Sequence, residues 1–372
     1  MKKLLLFARD PGGANVIQSL LPHLTKEYKI QLYGKDVALE RFCGAGLPVK
    51  DIAGEVSELL PSQLKEFLQK EQPDLVITGT SADDNTEKYL WHGAEELEIP
   101  SIAILDQWIN YGIRFSKYGV NEMALYQKEK SHEYLPTKIC VMDIYAKQKM
   151  MEEGIGGERI AVTGQPYLSD FAEKVAKVKE QDKKNFRQRY APKGEKLIVF
   201  ASEPLCSTYG ENCDYWGYTE RSIFRELQEL LTELTEREKC KISVIVRPHP
   251  KENMVQWKSR LKDSPYVAYY LEQETDNQVV MSSADLIVGM SSMFLLESTL
   301  CRKPVLSLQI GLRSDRDNPF ILEKIGVLQS AVTREAARGE LEIFLKDEKQ
   351  VPDWEIPMDA AKNIRKVMEE LL

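Results

Sequence analysis

Apolar positions along this 372-residue chain fall into two alternating series. In the first, short apolar runs of strand type cover residues 4–8, 29–33, 49–52, 74–80, 101–106, 138–143 and 159–163. Between them lie stretches with apolar residues three and four apart, which predict helices from the 10–15 turn to about 24, over 56–70 and 86–97, and one ending near 153. Strands separated by helices predict a parallel, doubly wound α/β sheet. Right-handed crossovers then gather the loops that follow the strands on one edge, where ligands bind.

The second series starts at residue 197. Strand patterns at 197–201, 241–247, 267–271, 285–289 and 304–308 alternate with helix patterns at 219–237 and 293–300. The final stretch, 359–372, places Ala360, Ala361, Ile364, Val367, Met368 and Leu371 on one helical face. Between the two series, residues 171–196 carry nine Lys/Arg against four Asp/Glu and almost no aliphatic stripe. This segment reads as a partly helical connector. The expected plan is therefore an N-terminal domain over 1–170, a connector over 171–196, a C-terminal domain over 197–350, and a last helix over 351–372 returning to the first domain.

Length agrees with this plan, because 372 residues exceed one ordinary core. Apolar content of 43% and charged content of 29% are those of a globular protein. A net charge of −8 argues against nucleic acid as the main partner. The six cysteines are scattered without CxxC spacing, as expected for free thiols in a reducing compartment. The apolar run 4–8 stops at Arg9-Asp10 and is too short for a signal peptide, and no run reaches membrane-spanning length. The expected location is cytoplasmic, with at most peripheral contact at the inner face of a membrane.

Candidate chemistry clusters at strand ends. Ser291-Ser292 stands between a strand and a helix, where serines cap the helix and leave its free N–H groups open to an anion, while Glu297 lies within reach for ribose hydroxyls. Arg247-Pro248-His249-Pro250 comes directly off another strand of the same sheet. Its prolines fix the chain direction, and its guanidinium and imidazole suit a phosphate or a base. An N-cap and a rigid turn are the plain alternatives. Asp10-Pro11-Gly12-Gly13 forms the first strand-to-helix turn, although no G-x-G-x-x-G is present. Asp106, Trp108 and Tyr111 follow the fifth strand and offer either a sugar-stacking surface or a packing patch.

These features together, with Ile160-Ala-Val-Thr-Gly-Gln-Pro166 closing the first domain, resemble GT-B glycosyltransferases, in particular bacterial sialyltransferases, polysialyltransferases and capsule Kdo transferases. Val162-Thr163-Gly164-Gln165-Pro166 also resembles the wider group containing UDP-N-acetylglucosamine 2-epimerase. The resemblance implies two Rossmann-like domains facing across a cleft. It implies that His249-Pro250 contacts the nucleotide of a CMP donor, that Ser291-Ser292 contacts its phosphate, and that Glu203 touches the nucleotide. It also implies an acid pair as general base, matched here by Asp83-Asp84, with Asn85 where the family carries glycine. Helix capping is the other reading of that pair, and Asp10 is a second candidate base. Gly12 and Gly13 would face the acceptor or sugar, and Arg313 an acidic sugar. Asp315-x-Asp317 imitates a metal-binding DxD and is discounted, so neither metal nor cofactor is expected. The implied function is metal-independent transfer of an acidic sugar such as sialic acid or Kdo from CMP to a glycan or lipid-linked acceptor. The alternatives are a nucleotide-sugar 2-epimerase and a non-catalytic nucleotide or glycan binder.

Overall fold

The computed structural model describes all residues from Met1 to Leu372. The chain divides into two compact units, Met1–Asp170 with Ile356–Leu372, and Phe171–Glu355. The first contains β1 (Lys3–Ala8), β2 (Lys29–Gly34), β3 (Val49–Asp51), β4 (Leu75–Thr78), β5 (Ser101–Ile104), β6 (Lys138–Val141) and β7 (Ile160–Val162). The second contains β8 (Lys196–Ala201), β9 (Ile242–Arg247), β10 (Val267–Leu271), β11 (Leu286–Gly289) and β12 (Val305–Ser307). The sheet orders are β3-β2-β1-β4-β5-β6-β7 and β10-β9-β8-β11-β12, with every pairing parallel. The two Rossmann-like α/β sheets expected from the alternation are therefore present.

The two-residue period of β1 shows why its sheet is covered on both faces. Leu4, Leu6 and Ala8 pack with Val16, Ile17 and Leu20 of the helix Pro11–Leu20. Leu5 and Phe7 point the other way, onto Leu64, Phe67 and Leu68 of the helix Pro61–Glu71. A strand buried on both faces reads as a continuous apolar run, as β1 does. Ile364, Val367 and Met368 of the last helix, Ala360–Leu371, join the first of these cores. The chain thus finishes within the first unit.

Residues 171–196, read above as a connector, pack as part of the second unit. They supply the end of the helix Pro166–Ala176 and the helix Glu180–Tyr190, which buries Phe186 and Tyr190. Arg187 grips Asp285 with two N–H···O bonds of 3.0 Å and donates to the Ser283 carbonyl. The segment's charge therefore hides a fixed ion pair among solvated neighbours. Several shorter helices, including Asp36–Gly44 and Met123–Glu129, bury only one or two residues each and leave little periodicity to read. No helix is long and apolar enough to cross a membrane.

Candidate functional site

In the second unit, the order of the strands decides what meets. β9, β8 and β11 are adjacent and parallel. The chain leaving their carboxyl ends therefore brings Arg247–Pro250, Glu203 and Ser291–Ser292 to one edge. All of these but Ser291 line a cavity of about 570 Å³, together with Tyr209, Asn277, Phe294 and Glu297. Gly289, the last residue of β11, is needed there, because a Cβ would lie 2.9 Å from the Ala201 carbonyl oxygen and 2.5 Å from Leu295 Cδ1.

Within this cavity the expected residues take different roles. The Arg247 guanidinium is engaged by the protein. It donates to Glu272 (2.6 Å), to the Thr275 carbonyl (2.6 Å) and twice to Asn277 Oδ1 (3.0 and 2.8 Å). It fixes the end of β9, where the sequence suggested a phosphate contact. His249 lies at the cavity wall, and its Nδ1 accepts from the Lys251 N–H at 3.2 Å. Burial, then the neighbouring Lys251, lowers its pKa, so the ring is uncharged at neutral pH and carries its proton on Nε2. Pro250 closes the same wall.

Glu252 organises this loop. Its carboxylate accepts from the His249 N–H (2.6 Å), Ser202 Oγ (2.9 Å) and Trp257 Nε1 (3.0 Å). Sequence reasoning passed over it, although its place three residues after His249 is the spacing of a local side-chain-to-backbone bond. Glu203 accepts from the Ser291 N–H (2.5 Å) and Ser291 Oγ (3.0 Å). Ser292 is the N-cap of the helix Met293–Leu300 but makes no capping bond. Its Oγ is shielded from solvent without a partner. Arg313 lies outside the cavity, held fork-to-fork by Asp315 at 2.8 and 2.7 Å, which holds that carboxyl down at about 2. That pairing occupies the first acid of the Asp315-x-Asp317 spacing.

In the first unit, the ends of β1, β4 and β5 converge in the same manner. Gly12 is required by contact: a Cβ there would fall 1.7 Å from Asp106 Oδ2. Gly13 lies against Gly79, whose own Cβ would come within 2.7 Å of Gly13 Cα, so the first helix starts directly beside the end of β4. Asp106 is buried and paired through Oδ1 with Arg114 (2.9 Å), which also donates to Thr80 Oγ1 (2.7 Å) and the Thr80 carbonyl (3.0 Å). Asp10 heads the helix Pro11–Leu20 without capping it and accepts from Arg9 NH1 at 2.8 Å.

Asp84 takes up the capping role, with Oδ1 accepting from the Thr86 N–H at 2.8 Å, while Oδ2 pairs with Lys35 Nζ at 2.5 Å. Burial acts to raise its pKa, but the Lys35 and Thr86 contacts outweigh burial and lower it. Asp83 is exposed beside it. Trp108 and Tyr111, read as either a sugar-stacking surface or a packing patch, are buried at 5% and 7% exposure, as packing requires. Trp108 Nε1 donates to Asp143 at 2.8 Å. The long loop folds inward because its rings and Phe115 carry more apolar area than water tolerates.

Sequence reasoning also missed Glu87. It is 1% exposed, and neither carboxyl oxygen meets a hydrogen-bonding group of another residue. Burial, reinforced by the charges of Asp84 and Asp10, pushes its pKa up to about 8. Its place at the start of a helix resembles an ordinary first-turn glutamate, and nothing in the sequence marks the burial.

Two parallel α/β sheets, each with ligand-type residues at the carboxyl ends of its central strands, define a fold of the GT-B class. The sequence matches no protein-family profile and no curated protein. Solved structures do match. The UDP-GlcNAc 2-epimerase of Methanocaldococcus jannaschii aligns over 99% of both chains with a TM-score of 0.67 at 16% identity. The UDP-GlcNAc 2-epimerase of Neisseria meningitidis bound to UDP-GlcNAc aligns over 100% of both, with a TM-score of 0.66 at 17% identity. MurG of Acinetobacter baumannii aligns over 100% of both at 0.58 and 10% identity.

These similarities bear out the GT-B fold and the wider resemblance to UDP-GlcNAc 2-epimerases. They overturn the expectation of a CMP-dependent transferase of acidic sugars, since several of the full-length matches are 2-epimerases of a UDP-linked sugar.

Proposed function

We propose that this protein is a nucleotide-sugar 2-epimerase acting on a UDP-linked N-acetylhexosamine. The observation that carries the reading is the second-unit cavity, where an uncharged His249, the unpartnered Ser292 hydroxyl and the helix start at Met293 converge. Helix N–H groups attract phosphate without needing a metal. His249 Nε2 is a donor for the nucleotide, and Glu297 an acceptor for ribose hydroxyls. The nucleotide and the sugar come from the full-length likeness to UDP-GlcNAc 2-epimerases, one of them bound to UDP-GlcNAc.

Inverting C2 requires removing its proton on one face of the sugar, with the C2–H electron pair forming a C1–C2 double bond as the C1–O bond to UDP breaks, and then adding UDP back to C1 as a proton returns to C2 on the other face. Carboxyl groups are suited to both steps. Asp10 is assigned as the proton-transferring group because its carboxylate is bonded through Oδ1 alone, to Arg9, whereas both Asp84 oxygens are taken, by Lys35 and the Thr86 N–H. No acceptor molecule takes part in this reaction. The test is incubation with UDP-GlcNAc alone, followed by chromatography of the nucleotide sugars. The C2 epimer forms if the reading holds, and an unchanged substrate at high enzyme concentration rejects it.

A further inference from the structure

The loop that leaves β11 already holds a carboxyl group. The Ser291 N–H (2.5 Å) and the Ser291 hydroxyl (3.0 Å) both donate to the carboxyl group of Glu203, and the neighbouring N–H groups of Met290 and Ser292 also act to lower its pKa. Glu203 comes from the adjacent strand, two residues beyond the end of β8, so the contact follows from the sheet order. Burial raises the Glu203 pKa while these donors act to lower it. A short loop of N–H groups ahead of a helix is the arrangement that binds phosphate oxygens. Beside it, the Ser292 hydroxyl faces no partner although it is shut off from solvent, and the same residue lines the cavity. One donor is therefore idle while its neighbours are occupied by a side chain of the protein itself.

We propose that Glu203 is an internal substitute for a ligand phosphate, occupying the loop of residues 290–292 until the diphosphate of a nucleotide displaces it. The proposal rests on the reading of this cavity as a nucleotide site. A carboxyl group and a phosphate cannot occupy the same donors at once, and any charge the carboxyl carries would add repulsion. Binding must therefore move the Glu203 side chain, and apparent affinity is reduced by the fraction of molecules in which the loop is open. Glu203 then acts as a selectivity residue. It penalises weak anions and yields to a ligand that also contacts His249 and Glu297 elsewhere in the cavity.

The test is calorimetric titration of wild-type protein, Glu203→Gln and Glu203→Ala with UDP, inorganic pyrophosphate and uridine. Glu203→Gln keeps the shape and most of the hydrogen bonds, so it remains informative where the alanine variant folds poorly. Removing the competing carboxyl should tighten UDP and pyrophosphate in both variants, by about tenfold or more in Glu203→Ala, where the closed fraction disappears, and by less in Glu203→Gln. Uridine, lacking phosphate, should bind all three proteins alike. Equal or weaker UDP binding in the variants, with wild-type protein binding UDP, overturns the displacement proposal and leaves the nucleotide reading standing. Failure of every protein to bind UDP overturns both.

Discussion

Asp106 and Arg114 form a buried ion pair, Oδ1 to NH1 at 2.9 Å, and the other carboxyl oxygen lies where a side chain on Gly12 would have to go. A single acid thus joins the loop after β5 to the first turn of the chain. Removing Arg114 leaves that acid buried without its counter-charge. Arg114→Met should destabilise the protein by about 3–5 kcal/mol in urea unfolding. Asp106→Asn added to it should recover part of the loss. A cost under about 1 kcal/mol for Arg114→Met would show that the pair is not needed for the fold.

Glu87 should make stability depend on pH. Its pKa in the folded chain is raised to about 8, chiefly by burial, from an ordinary value of 4.5. The native state therefore holds the proton more tightly than the unfolded chain. The associated stability is fully present below about pH 4.5 and is lost as pH rises through about 8, with a total change on the order of a few kcal/mol. Glu87→Gln cannot titrate, so its stability should fall less between pH 5 and 8 than that of wild-type protein. Parallel stability curves for the two would contradict the assignment.

Asp10 and Asp84 should separate in kinetics. Asp84 is neutralised by Lys35 at 2.5 Å and spends its other oxygen on the Thr86 N–H. The Asp10 carboxylate does not cap its helix and accepts only from Arg9, through Oδ1. Asp10→Asn should lower kcat by a factor of about 10² to 10⁴ with little change in UDP affinity. Exposed Asp83, changed to Asn, should leave kcat unaltered. Wild-type turnover in Asp10→Asn would remove it from the chemistry.

His249 should matter for binding. Its neutral ring lines the second-unit cavity, and its backbone is held by Glu252. His249→Ala should weaken UDP by about 1–3 kcal/mol, the range for losing one hydrogen bond to a charged group, without shifting the unfolding temperature. Unchanged affinity would place the nucleotide elsewhere.

The central strands were legible because a two-sided sheet demands unbroken apolar runs, as in β1, β4, β8 and β11, whereas the edge strand β3 (Val49-Lys50-Asp51) carries exposed charges. Strand order was not, since pairing joins residues far apart in the chain. The meeting of Glu203 with Ser291, across 88 positions, is a product of that order. Side-chain engagement was equally hidden. Arg247 looks like a free guanidinium until Glu272 and Asn277 are seen around it. Trp108 and Tyr111 could be a sugar platform or a packing patch until their burial decides for packing. The Ser-Ser and His-Pro motifs both end strands of one sheet, and Ser292, His249 and Pro250 line one cavity. They misled on the chemistry, because a nucleotide site at a helix start serves transferases and epimerases alike.

The most direct measurement is proton NMR of UDP-GlcNAc incubated with the protein in deuterium oxide, with no acceptor present. Epimerisation through loss and return of the C2 proton predicts deuterium at C2 and the appearance of the C2 epimer, both abolished or strongly slowed in Asp10→Asn. A C2 proton that stays fully protiated, with UDP-GlcNAc unchanged while the protein demonstrably binds it, would contradict the account.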